Sequence, residues 1–222
     1  MLVTRRDLTR MAVGSLIGGL GARLPPRPAL AQAVPADATF DVLRGKTRIG
    51  QHVITFAPAG NGFRAVTKLD LKVKLAFVTL FDLRHQSEEL WQDGRLVELR
   101  STTQDGKDRF EVRAKAVADG IRCDSPAGTI FAPPDMRTSN GIWSVATMRQ
   151  VQLIDAQNGG IIGMVAEGAG ADQVEAKGRS VQADRYRVVT PSVAGDLWYA
   201  GAMLVKARLE VRGDVVDYRR VA

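Results

Sequence analysis

A single cysteine, Cys123, stands in 222 residues, so no intramolecular disulfide can form and packing alone must hold the fold. Its short run, Ile121-Arg122-Cys123-Asp124, lies between turn signals, which favours a buried strand thiol over a reactive one. Histidine is almost as scarce, with His52 and His85 the only two. They share no paired spacing with each other or with Cys123, so no zinc site of the usual kind is expected, and no cofactor. The sequence contains no Gly-x-Ser-x-Gly elbow and no His-Glu-x-x-His motif. A phosphate-binding glycine loop is missing too, because Gly159-Gly160 and Gly168-Ala169-Gly170 lie between strand-like runs and read as turns. Nor is there a membrane-spanning run. The apolar stretch Met11 to Ala22 has a dozen residues, where a spanning helix needs about 20.

Excess charge is also less than it first looks. The formal balance is +7, but the first 31 residues carry Arg5, Arg6, Arg10, Arg23 and Arg27 against Asp7 alone, leaving 26 basic and 23 acidic residues. The remaining Lys and Arg alternate along strands, as in Lys68, Lys72 and Lys74, which is the pattern of a solvated face; no nucleic-acid partner is expected. The arginines belong to an export signal. Thr4-Arg5-Arg6-Asp7-Leu8-Thr9-Arg10, the glycine-rich apolar stretch and the small-x-small sites ending at Ala31 and Ala33 compose a cleavable signal peptide. Arg5, Arg6 and Leu8 resemble the twin-arginine motif, although Thr9 replaces the usual apolar residue. Residues 1–33 are therefore read as a twin-arginine-type signal, with the translocation machinery as a partner during export. Residues 34–222 are read as one periplasmic or secreted domain without a stable membrane anchor.

What is abundant is the period of two. Leu69, Leu71, Val73, Leu75 and Phe77 alternate with Lys68, Asp70, Lys72 and Lys74, as in a strand with one buried face. The run Ala76 to Phe81 is apolar at every position and is expected to be either a doubly buried stretch or a bulge. Alternation resumes to Trp91, and Asp93-Gly94 supplies a positive-φ hairpin turn. Asp105-Gly106 and Asp119-Gly120 punctuate the chain in the same way. About a dozen strands are expected, in an all-β, strongly curled antiparallel meander: a barrel or half-barrel, lipocalin-like or lipoprotein-carrier-like. The rhythm breaks from Ser125 to Met148, where Pro133-Pro134 stops a ladder and Ile142 to Met148 is expected to make a short helical plug.

Phe40-Asp41-Val42 with Gly45, Ile49-Gly50, Leu75-Ala76-Phe77-Val78, His85 to Trp91 with Gln92-Asp93-Gly94-Arg95-Leu96, and Asp196-Leu197-Trp198-Tyr199 together resemble domain-of-unknown-function family 6134, a group of exported bacterial proteins. The resemblance implies an exported β-sheet domain and supplies no activity or catalytic residues.

The row Phe81, Leu83, His85, Ser87, Glu89 and Trp91 is the most suggestive constellation, expected at the wet edge of a pocket or the exposed end of a strand. Its members stand about 6.7 Å apart along one strand, too far for a relay without cross-strand partners. Candidate ligand-binding residues are His85, Glu89, Trp91, Trp143, Trp198 and Tyr199; no catalytic residue is assigned. The leading expectation is a carrier of a small apolar or amphipathic ligand in a cavity inside the curl. The alternative is a cell-envelope interaction module that acts through a sheet edge. An enzyme comes third, with His85, Glu89 and His52 as its acid-base groups.

Overall fold

In a computed structural model the described residues are 33–75 and 78–222, with the side chains of 74–81 left aside. The segment read as an export signal, including Arg5 and Arg6, lies outside the described residues. Ala31–Ala222 forms one compact unit.

Sixteen strands follow one another: β1 Ala38–Arg44, β2 Thr47–Ala59, β3 Gly62–Leu75, β4 Val78–Gln92, β5 Arg95–Asp105, β6 Asp108–Val117, β7 Gly120–Ser125 and β8 Gly128–Ala132 come first. β9 Arg137–Thr138, two 3-10 helices (Ser139–Trp143 and Val145–Arg149), β10 Gln152–Ile154 and β11 Ile161–Gly163 form an insert. β12 Val165–Ala176, β13 Arg179–Val189, β14 Val193–Ala200, β15 Met203–Val211 and β16 Asp214–Arg220 complete the chain. Thirteen strands make one antiparallel sheet in the order β12-β13-β14-β15-β16-β1-β2-β3-β4-β5-β6-β7-β8. The expected curled meander is thus observed, with the last strand pairing the first through Phe40 opposite Arg220.

The sheet rolls up because one of its faces is greasy along its whole width. Cys123 and Ile121 on β7 belong to the same buried cluster as Phe40, Ile54, Leu99, Leu197 and Tyr199, so strands far apart in the order share one core. Arg212, after β15, ion-pairs with Asp105 at the end of β5, which only a rolled sheet permits. The opposite face is charged and cross-paired, for example Lys72 to Asp82 at 3.1 Å and Arg44 to Asp214 at 2.6 Å. The roll does not close by strand pairing: β12 and β8 end the order on either side.

The apolar run Ala76 to Phe81, expected to be doubly buried or bulged, falls partly outside the described residues, and its burial is not described. A register shift falls at its far end, where Val73 pairs with Phe81 and Lys74 with Thr79. Two other expectations need correction. Gly168-Ala169-Gly170 is not a turn; β12 runs through it with a bulge between Gly168 and Ala171, Gly170 taking φ +92°. The segment after Arg149 does not rejoin the meander at once. β10 pairs antiparallel with β11 and parallel with β9, making a separate three-stranded sheet. The expected plug is present, built from two 3-10 turns broken at Ser144 rather than one helix.

Candidate functional site

The insert between β8 and β12 lies against the concave face and fills it. Thr138 caps the first 3-10 helix, accepting from Gly141 N–H at 3.2 Å, and Ser144 caps the second, accepting from Ala146 N–H at 3.3 Å. Other polar groups of the wall reach the insert. Tyr199 Oη donates to Ile142 O at 2.8 Å, and Ser101 Oγ to Ala156 O at 2.5 Å. Trp143 inserts among aromatic rings of the wall, 5.0 Å from Phe56, 5.6 Å from Phe63 and 6.2 Å from Trp91, all edge-on. Edge-to-face contacts of this kind add about 0.5–1.5 kcal/mol each beyond the area buried.

The row on β4 meets the plug here. His85, Ser87, Glu89 and Trp91 are all buried, contrary to the expected wet pocket edge or exposed strand end. They are covered because the plug packs over them, with Thr138 and Asn140 against Glu89, His85 and Ser87. Asn140 Nδ2 donates to Ser87 Oγ at 2.6 Å and meets His85 Nε2 at 3.1 Å, while His85 Nδ1 meets Thr103 Oγ1 at 2.8 Å. With the amide in this orientation Nε2 must accept, so the proton sits on Nδ1 and is given to Thr103. Burial holds His85 down to about 4, against the opposing contact with Asn140.

Glu89 is clasped on both oxygens, by Thr138 Oγ1 at 2.7 Å and by Trp91 Nε1 at 2.9 Å. Burial raises its pKa; those two hydrogen bonds and the Arg137 charge oppose the rise. Arg137 lies with Cζ 4.4 Å from the Trp91 ring centroid and donates from Nε to Thr147 Oγ1 at 2.8 Å. His52 stands two strands away: His52 pairs with Leu69 and Leu69 with His85. Its ring lies 6.0 Å from Phe40 and 5.9 Å from Tyr218, and Nδ1 is buried with no partner. Burial, then the nearby His85, lowers it to about 4.

Four of the six candidate residues, His85, Glu89, Trp91 and Trp143, thus come together around the plug. Tyr199 reaches the same body through its hydroxyl. Trp198 does not. As its sequence neighbour it must point to the other side of the sheet, where it packs with Val174, Ala176, Ala183 and Val205. The residues that complete the cluster, Asn140, Thr138, Thr103 and Arg137, were not singled out for chemistry in the sequence.

This arrangement does not assemble a nucleophile and its base. Ser87 accepts from Asn140, Glu89 is pushed toward its neutral form, and the two histidines share no carboxylate. Its chemistry is that of a clasp, joining β4 to the insert through buried polar contacts. No group of three or more His, Cys, Asp or Glu able to hold a metal occurs among the described residues, and no described helix is long and apolar enough to cross a membrane.

The family model described as "Domain of unknown function (DUF6134)" matches residues 40–221. A solved structure described as a β-barrel-like protein of domain of unknown function DUF1849, from Brucella abortus, is similar with a TM-score of 0.61 and 12% identity, covering 86% of this chain and 97% of that one. At that identity the likeness concerns the fold alone. No curated protein matches the chain.

Proposed function

The chain belongs to the DUF6134 family, and from that premise we propose that it is an exported module of the periplasmic envelope that takes up a partner's extended segment along the free edge of β8. The observation that carries this reading is that β8, an edge strand with neither charge nor bulge along its length, borders a sheet whose concave face is already covered by the chain itself. Edge strands in stable proteins are usually guarded by charge, bulges or proline. β12, the other end of the sheet, is guarded: it holds Glu167, Asp172 and Glu175 and the bulge at Gly168. β8 reads Gly-Thr-Ile-Phe-Ala without charge or bulge, and Phe131 is 70% exposed. An added strand would gain main-chain hydrogen bonds along 128–132 and an apolar seat beside Phe131.

The test is photo-cross-linking in cells, with a photoreactive residue at position 131 and, as control, at Arg109 on the charged outer face. A discrete adduct from position 131 alone supports the reading; equal adducts, or none, would overturn it. The export half is tested separately: Arg5→Lys with Arg6→Lys should leave the chain in the cytoplasm.

A second reading, a carrier for a small apolar or amphipathic ligand, is favoured by one observation. The plug is held by polar contacts to Glu89, Ser87 and His85, which could be exchanged for others if it swung away. On that reading the insert is a lid, and its opening rate is the quantity to measure.

A further inference from the structure

The face turned away from the plug carries its own small core. Val174, Ala176, Ala183, Trp198 and Val205 are buried together there. Trp198 Nε1 donates to Asp172 at 2.8 Å, fastening β12 over β14, and the β12–β13 hairpin arches over the strands beyond. At its tip Lys177 N–H donates to Arg220 O at 3.0 Å, although β13, β14 and β15 separate β12 from β16 in the sheet. The arch leaves a cleft of about 500 Å³ lined by Ala176, Lys177, Arg179, Val181, Val205 and Arg220.

The lining divides by chemistry. Ala176, Val181 and Val205 make an apolar floor, and Lys177, Arg179 and Arg220 are cations with no acidic side chain among the lining residues. On neighbouring strands the cations are matched: Arg185, Arg187 and Arg208 each lie 3.9 Å or less from an aspartate. None of the three cleft cations has such an ion pair among the described residues. Arg220 is more than nine-tenths buried, and it donates to main-chain oxygens: Asp37 O at 2.9 Å, Ala222 O at 3.1 Å and Leu204 O at 3.3 Å. No side-chain carboxylate among the lining residues offsets these cations, and an incoming anion would do so.

We propose that this cleft binds a single-chain anionic amphiphile, its carboxylate or phosphate head among Lys177, Arg179 and Arg220 and its alkyl chain over Val181 and Val205. Cationic rim and apolar floor fit that class, and the cleft has the size of a ligand site. The site is independent of the β8 edge, so each proposal stands or falls alone.

The test is isothermal titration of the full mature chain with decanoate, decyl phosphate and decyltrimethylammonium, each below its micellar concentration. One-to-one binding of either anion, with the cation at least tenfold weaker, is the expected result, and the better anion identifies the head group. Lys177→Gln with Arg179→Gln should weaken the anion at least tenfold. Both residues are exposed, so the fold should survive, as circular dichroism will verify; Val181→Glu should abolish binding by placing a carboxylate on the floor. No anion binding, equal binding of the cation, or an unchanged affinity in the double variant would overturn the proposal.

Discussion

Replacing His52 by phenylalanine should remove a defined part of this protein's sensitivity to acid. His52 lies among Phe40 and Tyr218 with Nδ1 unpartnered, and burial followed by the His85 charge lowers its pKa from 6.5 to about 4. The unfolded chain therefore takes up a proton that the folded chain refuses throughout that interval. Stability is fully present above pH 6.5, falls as the pH drops toward 4, and levels off below it. The drop is worth about 3 kcal/mol for this one imidazole. His85 acts in the same direction. Glu89 acts in the opposite one, since a raised carboxyl costs stability as the pH climbs above its unfolded value. Both largely cancel when His52→Phe is compared with the parent chain. Urea unfolding followed by tryptophan fluorescence at pH 7, 6, 5 and 4 gives the comparison. At pH 7 the variant should equal or exceed the parent, because an unsatisfied buried nitrogen is gone; by pH 4 its advantage should have grown by about 3 kcal/mol. A difference that stays constant with pH would refute the reasoning.

Glu89→Leu should cost about 2 kcal/mol, since it strips the acceptor from Trp91 Nε1 and Thr138 Oγ1 while sparing the burial of a carboxyl; Glu89→Gln should cost less, and the reverse order in urea unfolding would contradict the clasp. Gly50→Ala should destabilise by about 3 kcal/mol, because an added Cβ would lie 1.9 Å from Asp70 O on β3; thermal unfolding checks it, and an unchanged midpoint would refute the packing of β2 on β3. Cys123 is buried, and burial, then the Asp124 charge, pushes its thiol up to about 11; it should stay silent to a disulfide reagent at pH 8 until urea unfolds the chain.

The sheet was readable because a two-residue period with one apolar face admits few other solutions. Asp93 and Gly94 take φ +50° and +76°, as their turn chemistry foretold. Gly168-Ala169-Gly170 misled because glycine marks a bulge as well as a turn. The clasp was only half visible. The row from His85 to Trp91 could be seen along one strand, but its partners lie on β5 and in the insert, as distant in sequence as Asn140 and Thr138. Trp198 and Tyr199 were grouped as one wall although adjacent strand residues face opposite ways, which is why only Tyr199 reaches the concave body.

Hydrogen exchange in the insert tests most directly whether the concave face is filled permanently by the chain's own residues. The amides of Gly141, Ser144, Thr147, Gln150 and Ala156 are hydrogen-bonded within or beside the plug. If the plug is part of the core, these amides exchange only by global unfolding and are as slow as those at the centre of β4. Exchange faster than β4 by orders of magnitude would contradict that account and make the insert a lid.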